Sequence, residues 1–284
     1  MNFCIIIPAH NEATVIAQTL ESLVNQTVLP SELIVVNDNS TDGSQKIIEG
    51  YIERYNWITL VNSSSSDKHL PGAKIINAFY KGFEHISKPY DIICKFDADL
   101  IFSESYLETI AKHFQTNEKL GMASGFCYIQ NKSGEWILEN LTNKDHIRGA
   151  LKAYRKKCFE DIGQLKRSMG WDTVDELLAK FHGWQIITDE SLHVKHLKPT
   201  GQFYNKASKY LQGEAMYKMR YGFCITLLSA LKLAFKKKNI NLFFDYMSGY
   251  FRAKKQNLAF LVSEEEGKFI RQLRWDGIKN KGRR

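Results

Sequence analysis

Asp97-Ala98-Asp99 sets two carboxylates one residue apart, directly after the apolar run Ile92-Ile93-Cys94-Lys95-Phe96. Such a run reads as a buried strand. Open α/β sheets take their ligands at the carboxyl ends of their strands. A pair of acids there can hold a hard divalent cation, and the cation can hold a diphosphate. Alone, the same triplet is a solvated acidic turn. Three more polar stretches stand at strand ends: Pro8-Ala9-His10-Asn11-Glu12, Asn37-Asp38-Asn39-Ser40-Thr41-Asp42-Gly43, and Pro71-Gly72-Ala73-Lys74 with Asn77.

The elements that position these stretches alternate. Phe3–Ile7, Leu33–Val36, Ile58–Val61 and the run ending at Phe96 read as strands. Between them Ile16, Leu20 and Leu23, then Ile48, Tyr51, Ile52 and Tyr55, then Ile76, Tyr80 and Phe83 recur at helical spacing. Asn11 can cap the first of these helices. Repeated β-α-β order with near-continuous apolar strands implies a parallel sheet covered by helices on both faces. Further on, Ser105–Asn117 and Thr173–Phe181 read as helices, and Gly149–Ile162 contains another. Gly121–Ile129 and Gln185–Val194 read as strands, and Trp136–Leu141 is ambiguous.

The chain has 284 residues, 44% of them hydrophobic, which is enough to bury a core and argues against disorder. Five scattered cysteines with no C-x-x-C spacing suggest neither a disulfide framework nor a zinc site, and fit a reducing compartment. Met1 leads straight into a strand-like run, so no signal peptide is expected and a cytoplasmic location is. The net charge of +8 is unevenly placed: residues 198–284 carry 19 Lys/Arg against 6 Asp/Glu, a local balance of +13. A basic tail on a mildly acidic body suits an anionic partner surface, or is a solvated helical face.

After Pro199-Thr200-Gly201 the alternation stops, which divides the chain into residues 1–200 and a helical, basic, amphipathic region 201–284. Gly222–Phe235 is apolar but too short for a membrane span, which needs about 20 residues. Across 214–260, large aromatics stand opposite clustered Lys/Arg, the pattern of a helix lying in a membrane interface. The region is therefore a candidate for peripheral contact with the inner face of a membrane, or a helical pair packed on the sheet.

The four stretches together, in this order and spacing, resemble family 2 glycosyltransferases, which open P-A-Y-N-E and continue with V-D-D-G-S-x-D-G, a Gly/Ala helix with Asn, and D-x-D. The resemblance covers residues 3–200. It implies the GT-A fold: α/β, Rossmann-like, with a mainly parallel sheet flanked by helices, here with the helical basic C-terminal extension. It also implies transfer of a sugar from a nucleotide-sugar donor, UDP- ahead of GDP-, with Mg²⁺ or Mn²⁺. In that setting Asp38 would accept from the imide N–H of a uracil-type base, or cap the next helix with Ser40. Glu12 would accept from a ribose hydroxyl, or buttress its turn. Pro8 would shape the strand exit and Ala9 would let backbone approach the nucleotide. Lys74 would reach phosphate or ribose, or be an exposed helix lysine; Asn77 would face the site or pack within its helix. By the family analogy Asp99 sits on the metal, and Asp97 on the ribose or a metal-bound water.

The acceptor hydroxyl needs a general base. Family members carry Glu-Asp before a helix, about a dozen residues ahead of a Gly-aromatic pair. Counting back from Gly183-Trp184 puts Asp172 at the base position, with Trp171 where the family has Glu. Asp175 and Glu176 are the alternatives, and Asp172 could instead cap a helix starting at Thr173. Trp171 could stack on an acceptor sugar or fill core. A late-strand His completes the metal shell in this fold, which favours His196 over His193. Arg148-Gly149-Ala150 with Tyr154-Arg155 resembles acceptor-side scaffold.

The implied function is inverting, metal-dependent transfer to a glycan or lipid-linked glycan in cell-surface polysaccharide synthesis. A non-catalytic nucleotide-sugar-binding relative is the alternative, because of Trp171. A nucleotidylyltransferase would want a Gly-rich basic loop after strand one, which Pro8–Glu12 lacks. No nucleic-acid-binding motif is present. Gln272-Leu273-Arg274-Trp275 falls one residue short of the Q-x-x-R-W of processive synthases and reads as part of a basic tail.

Overall fold

The structure, a computed structural model, describes residues 1–64, 72–139, 146–198 and 209–281. Pro71 and Pro199-Thr200-Gly201 lie outside the described residues. The first half alternates as its apolar pattern dictates: β1 (Phe3–Ala9), α1 (Ile16–Val24), β2 (Glu32–Asp38), α2 (Ser44–Ile52), β3 (Ile58–Ser63), α3 (Ala73–Phe83) and β4 (Ile92–Phe96). β1 pairs in parallel with both β2 and β4, and β2 with β3. The carboxyl ends of β1, β2 and β4 therefore share one edge. Extending the register Ile6↔Lys95 by two residues sets Asp97 level with Pro8.

The second half is mixed: β5 (Leu100–Ile101), α4 (Tyr106–Thr116), β6 (Leu120–Gln130), β7 (Trp136–Leu138), β8 (Leu151–Arg155), α5 (Lys156–Asp161), α6 (Trp171–Phe181) and β9 (Gln185–His196). The strand order is β3-β2-β1-β4-β8-β6-β9-β5, with β7 beside β6. β8 runs antiparallel to both β4 and β6. The helix expected within Gly149–Ile162 is α5; β8 ahead of it carries Lys152 fully buried, with its charge met by carboxylates on α6.

Helices cover both faces. One core joins the strands to α1, α2 and α4 through Ile16, Leu20, Ile48, Leu107 and Ile110. The other joins them to α3, α5 and α6 through Phe79, Phe159 and Leu178. Each such side chain contributes about 1.5–3 kcal/mol on burial. Of the late helices α7 (Leu211–Lys218), α8 (Gly222–Lys236), α9 (Asn241–Lys255) and α10 (Glu264–Lys281), α7, α8 and α10 extend this second core with Met216, Ile225 and Ile270, while α9 packs on α8 through Tyr246 and Met247. Residues 272–275 thus lie in a packed helix rather than a loose tail, and an Arg274 Nη2 donates to the Tyr221 hydroxyl at 2.7 Å. Among the described residues no helix is long and apolar enough to cross a membrane.

One irregularity decides where β9 points. β6 pairs with β9 in parallel, but the partner jumps from Asp189 (opposite Gly125) to His193 (opposite Phe126). Asp189 holds this bulge by accepting from the Ser191 amide at 2.8 Å and its hydroxyl at 2.6 Å. A Cβ on Gly125 would lie 2.4 Å from the Leu192 carbonyl oxygen, so the close approach requires glycine there. Beyond the bulge, β9 pairs antiparallel with β5, Leu100 opposite His196.

Candidate active site

Two loops are sewn together at the ends of β1 and β2. Asn11 is left-handed at φ 56°, not a cap of α1, which starts at Ile16 after Val15. Its amide donates to the Ser40 hydroxyl at 3.0 Å, and its side-chain oxygen accepts from the Thr41 amide at 2.8 Å. The Glu12 amide donates to the Ser44 hydroxyl at 2.8 Å, and His10 Nδ1–H donates to the Asp38 carbonyl at 2.6 Å. Asp42, not Asp38, accepts from the first amide of α2. Asp38 is relieved of the capping role, and its carboxylate lies 4.0 Å from Lys74 Nζ at the mouth of α3. Asn77 lies three residues on from Lys74, on the same side of α3, and is exposed. Pro8 is half-buried and Ala9 buried at the strand exit.

The acidic run sits opposite. Asp97 is ion-paired with the buried Lys95, which also donates to the Gly149 carbonyl at 3.1 Å. Lys95 was legible as a charge inside an apolar strand, two residues from Asp97 and therefore on the same face. The Asp99 carboxylate lies 3.3 Å from His196 Nε2. Glu12 shares the cleft: burial raises its carboxyl, Lys198 at 2.5 Å opposes that, and the negative charges of Asp99 and Asp97 add to the rise. Lys198, just past the end of β9, is a cation that spacing alone did not single out.

His196 is held from both sides. Its Nδ1 lies 3.3 Å from the Glu139 carboxylate, and Glu139 in turn pairs with Arg148 at 3.0 Å. Burial alone would lower the imidazole, but hydrogen bonds and charge from Asp99 and Glu139 push it up to about 10. The donor set suits a divalent cation: a carboxylate and an imidazole nitrogen converge, and the other ring nitrogen is oriented by a second carboxylate, as metal-bound histidines commonly are. Oxygen with imidazole is a set that Mn²⁺ accepts. Cys127, Glu139 and His196 also bring donor atoms within 4.8 Å of one another. Burial holds the Cys127 thiol well above its ordinary value.

The base candidates separate cleanly. α6 begins at Trp171, because Gly170 at φ 77° turns the chain into it, so Asp172 lies in the first turn and not at the cap. Asp172 is half-buried and packs against Gly149, where an added Cβ would meet its Cβ at 3.1 Å. Lys95, Asp97, Gly149 and Asp172 thus form one contiguous strip. Asp175 is instead sealed at 1% exposure, accepting from Lys152 at 2.8 Å and from Tyr154 at 2.5 Å. Burial pushes its carboxyl up to about 6. Glu176 is likewise buried, against Lys152 and His146. Neither alternative base reaches the cleft. Trp171 is 6% exposed, with Lys95 and Lys152 at 5.3 Å and 5.6 Å from its ring, so it fills core and shields buried charge instead of offering a sugar platform. Arg155 is scaffold, donating to the Phe114 and Asn117 carbonyls at the end of α4.

Solved structures share this fold. S. aureus TarS in complex with UDP-GlcNAc superposes with a TM-score of 0.57 at 19% identity, over 82% of this chain and 67% of that one. The mannosyltransferase PcManGT from Pyrobaculum calidifontis, in complex with GDP-Man and Mn²⁺, gives 0.54 at 17% identity, over 76% of this chain and 62% of that one. In sequence, the probable glycosyltransferase YdaM of Bacillus subtilis is 26% identical over 294 aligned positions, 91% of this chain. The chain spans 66% of the length of that relative. The model for glycosyl transferase family 2 matches residues 4–167, more than half of the sequence, and the chain belongs to that family.

Proposed function

We propose that the protein is an inverting, metal-dependent glycosyltransferase that moves one sugar from a nucleotide-sugar donor to a glycan or lipid-linked glycan, in the building of a cell-surface polysaccharide. The observation that carries this reading is the shared edge: Asp38, Asp97 and Asp99 with His196 meet on one rim of the sheet, and Asp172 stands across Gly149 from Asp97.

In this account Asp38 accepts from the base of the donor, with Lys74 and Asn77 beside it. Pro8 and Ala9 let the backbone approach the nucleotide, and Glu12 and Asp97 accept from ribose hydroxyls. Asp99 and His196 would hold Mn²⁺ or Mg²⁺, which when bound would supply positive charge for the diphosphate leaving group. Lys198 adds a positive charge on the same side. Asp172 takes the proton from the acceptor hydroxyl as that oxygen bonds to the anomeric carbon. The bond to the diphosphate breaks in the same displacement. No second enzyme carboxylate lies at the anomeric carbon in this scheme, so the product inverts. The lipid-linked acceptor and the basic helices 214–260 together favour work at the inner face of a membrane, reached peripherally.

A panel of UDP- and GDP-sugars with Mn²⁺ tests this directly, read by thermal shift and by release of nucleoside diphosphate. One or a few donors should raise the melting temperature and turn over slowly. Donor binding with no transfer to any acceptor, by wild type and Asp172→Asn alike, would support a non-catalytic relative. A flat response across the panel would end the transferase reading.

A further inference from the structure

We infer that the outward face of the α8–α9 hairpin is a docking surface for an anionic lipid bilayer. The two helices are joined by the short turn 237–240 and lie side by side in opposite directions, bringing the Phe223 and Phe251 rings to 6.0 Å. Their inner faces are satisfied: Ala230, Tyr246 and Met247 form a small core of their own. The outer face is apolar and exposed. Leu228 and Phe235 stand seven residues apart on α8, and Phe244 and Phe251 seven apart on α9, so each pair shares a stripe. Phe235 is 75% exposed and Phe244 60%, far beyond what a finished surface shows for large aromatics.

The charge around this face selects the occupant. Lys236, Lys237 and Lys238 ring the tip of the hairpin and Lys254 and Lys255 its other end, all exposed. From 222 to 260 the only acid is Asp245, which is half-buried and paired with Lys209 at 3.1 Å. A second copy of the chain on the same face would bring like charges together. Aromatic side chains in the acyl boundary with lysines at the phosphates is instead the arrangement of an interfacial helix.

The surface is also joined to the site. α9 crosses the start of α7 so closely that a Cβ on Gly249 would lie 2.0 Å from the Tyr210 carbonyl, and Ala215 of α7 and Met219 just after it pack against Gly170, two residues before Asp172. The hairpin is thereby joined through α7 to the glycine that opens α6. Lipid docking itself stands independently of the transferase chemistry; only its bearing on the acceptor rests on that reading.

Cys224 lies on the exposed face at the start of α8, while the other four cysteines are buried. A polarity-sensitive fluorophore on Cys224 of the full chain reports insertion without further engineering. Vesicles of phosphatidylcholine containing phosphatidylglycerol should blue-shift and brighten the probe, pure phosphatidylcholine should do so weakly, and added salt should reverse the effect. Replacing Lys236, Lys237 and Lys238 together by Ser should weaken vesicle affinity about 100-fold, at about fivefold per cation. The exposed Phe235→Ser/Phe244→Ser pair should lose the blue shift with an unchanged thermal melt. No probe response and no co-sedimentation with anionic vesicles would overturn the inference. So would an undiminished response in the double Phe variant, or a blue shift that grows with protein concentration without lipid, which would point to a second copy.

Discussion

His196 presents Nδ1 to the Glu139 carboxylate at 3.3 Å while its Nε2 stands 3.3 Å from Asp99. One ring nitrogen is thereby committed to a positioning partner and the other to the Asp99 carboxylate. If Asp99 and His196 hold the cation, Glu139 fixes the tautomer that can do so. Glu139→Gln should weaken Mn²⁺ binding about 10- to 100-fold, read by paramagnetic resonance of free Mn²⁺. Unchanged Mn²⁺ affinity would remove Glu139 from this role.

Asp172→Asn should lower the turnover number by about 10²–10⁴ while leaving the donor dissociation constant within about twofold, which is less than 0.5 kcal/mol. Asp175→Asn tests the contrast. Its carboxylate is sealed behind Lys152 and Tyr154, so that change should show in the thermal melt more than in donor-saturated turnover. Equal turnover losses with unchanged stability in both variants would contradict the assignment.

Lys152 is fully buried between Asp175 and Glu176 and donates to the Asp172 carbonyl at 2.6 Å. Lys152→Met strands two buried carboxylates and should cost about 3–5 kcal/mol in urea unfolding. The double variant Lys152→Met/Asp175→Leu should recover part of that loss. A single variant as stable as wild type would show that the charges are not enclosed.

Asp189 carries an acid-sensitive contribution. Burial alone would raise its carboxyl, but hydrogen bonds from Ser191 and His113 outweigh burial and hold it below the usual 3.8. A depressed folded-state value stabilises the protein above the unfolded value and is lost as pH falls through the folded one. Acidification below about pH 4 should therefore destabilise wild type more than Asp189→Asn. Parallel stability curves for the two would contradict the contribution. Because Asp189 holds the bulge that precedes His196, the same substitution should also weaken Mn²⁺ binding.

The first half of the chain was legible because continuous apolar strands and 3.6-residue helices leave few alternatives. Asp38, Asp97 and Asp99 fall at strand ends for that reason, and parallel pairing alone gathers them on one edge. Asp172 was legible only through its distance from Gly183; periodicity placed the helix start at Thr173, since a left-handed glycine at 170 is invisible to apolar spacing. The helix expected within Gly149–Ile162 is α5, but β8 before it was not legible, because a lysine in a central strand gives no strand signal until its carboxylate partners, 23 and 24 residues on, are known. Glu139 and Lys198 were out of reach for the same reason: each acts across the fold, on a partner that no local spacing predicts, and the pairing of Arg148 with Glu139 was equally hidden.

In the proposed function Asp99 and His196 form the metal end of a donor site whose nucleotide end is Asp38. Calorimetric titration with UDP, in the presence and absence of Mn²⁺, tests it most directly in wild type, Asp99→Ala, His196→Ala and Asp38→Ala. Binding should depend on Mn²⁺ in wild type and lose that dependence in Asp99→Ala and His196→Ala. In Asp38→Ala, binding should weaken but stay Mn²⁺-dependent. UDP binding that is indifferent to Mn²⁺ in wild type, or that keeps its full Mn²⁺ dependence without Asp99, would contradict it.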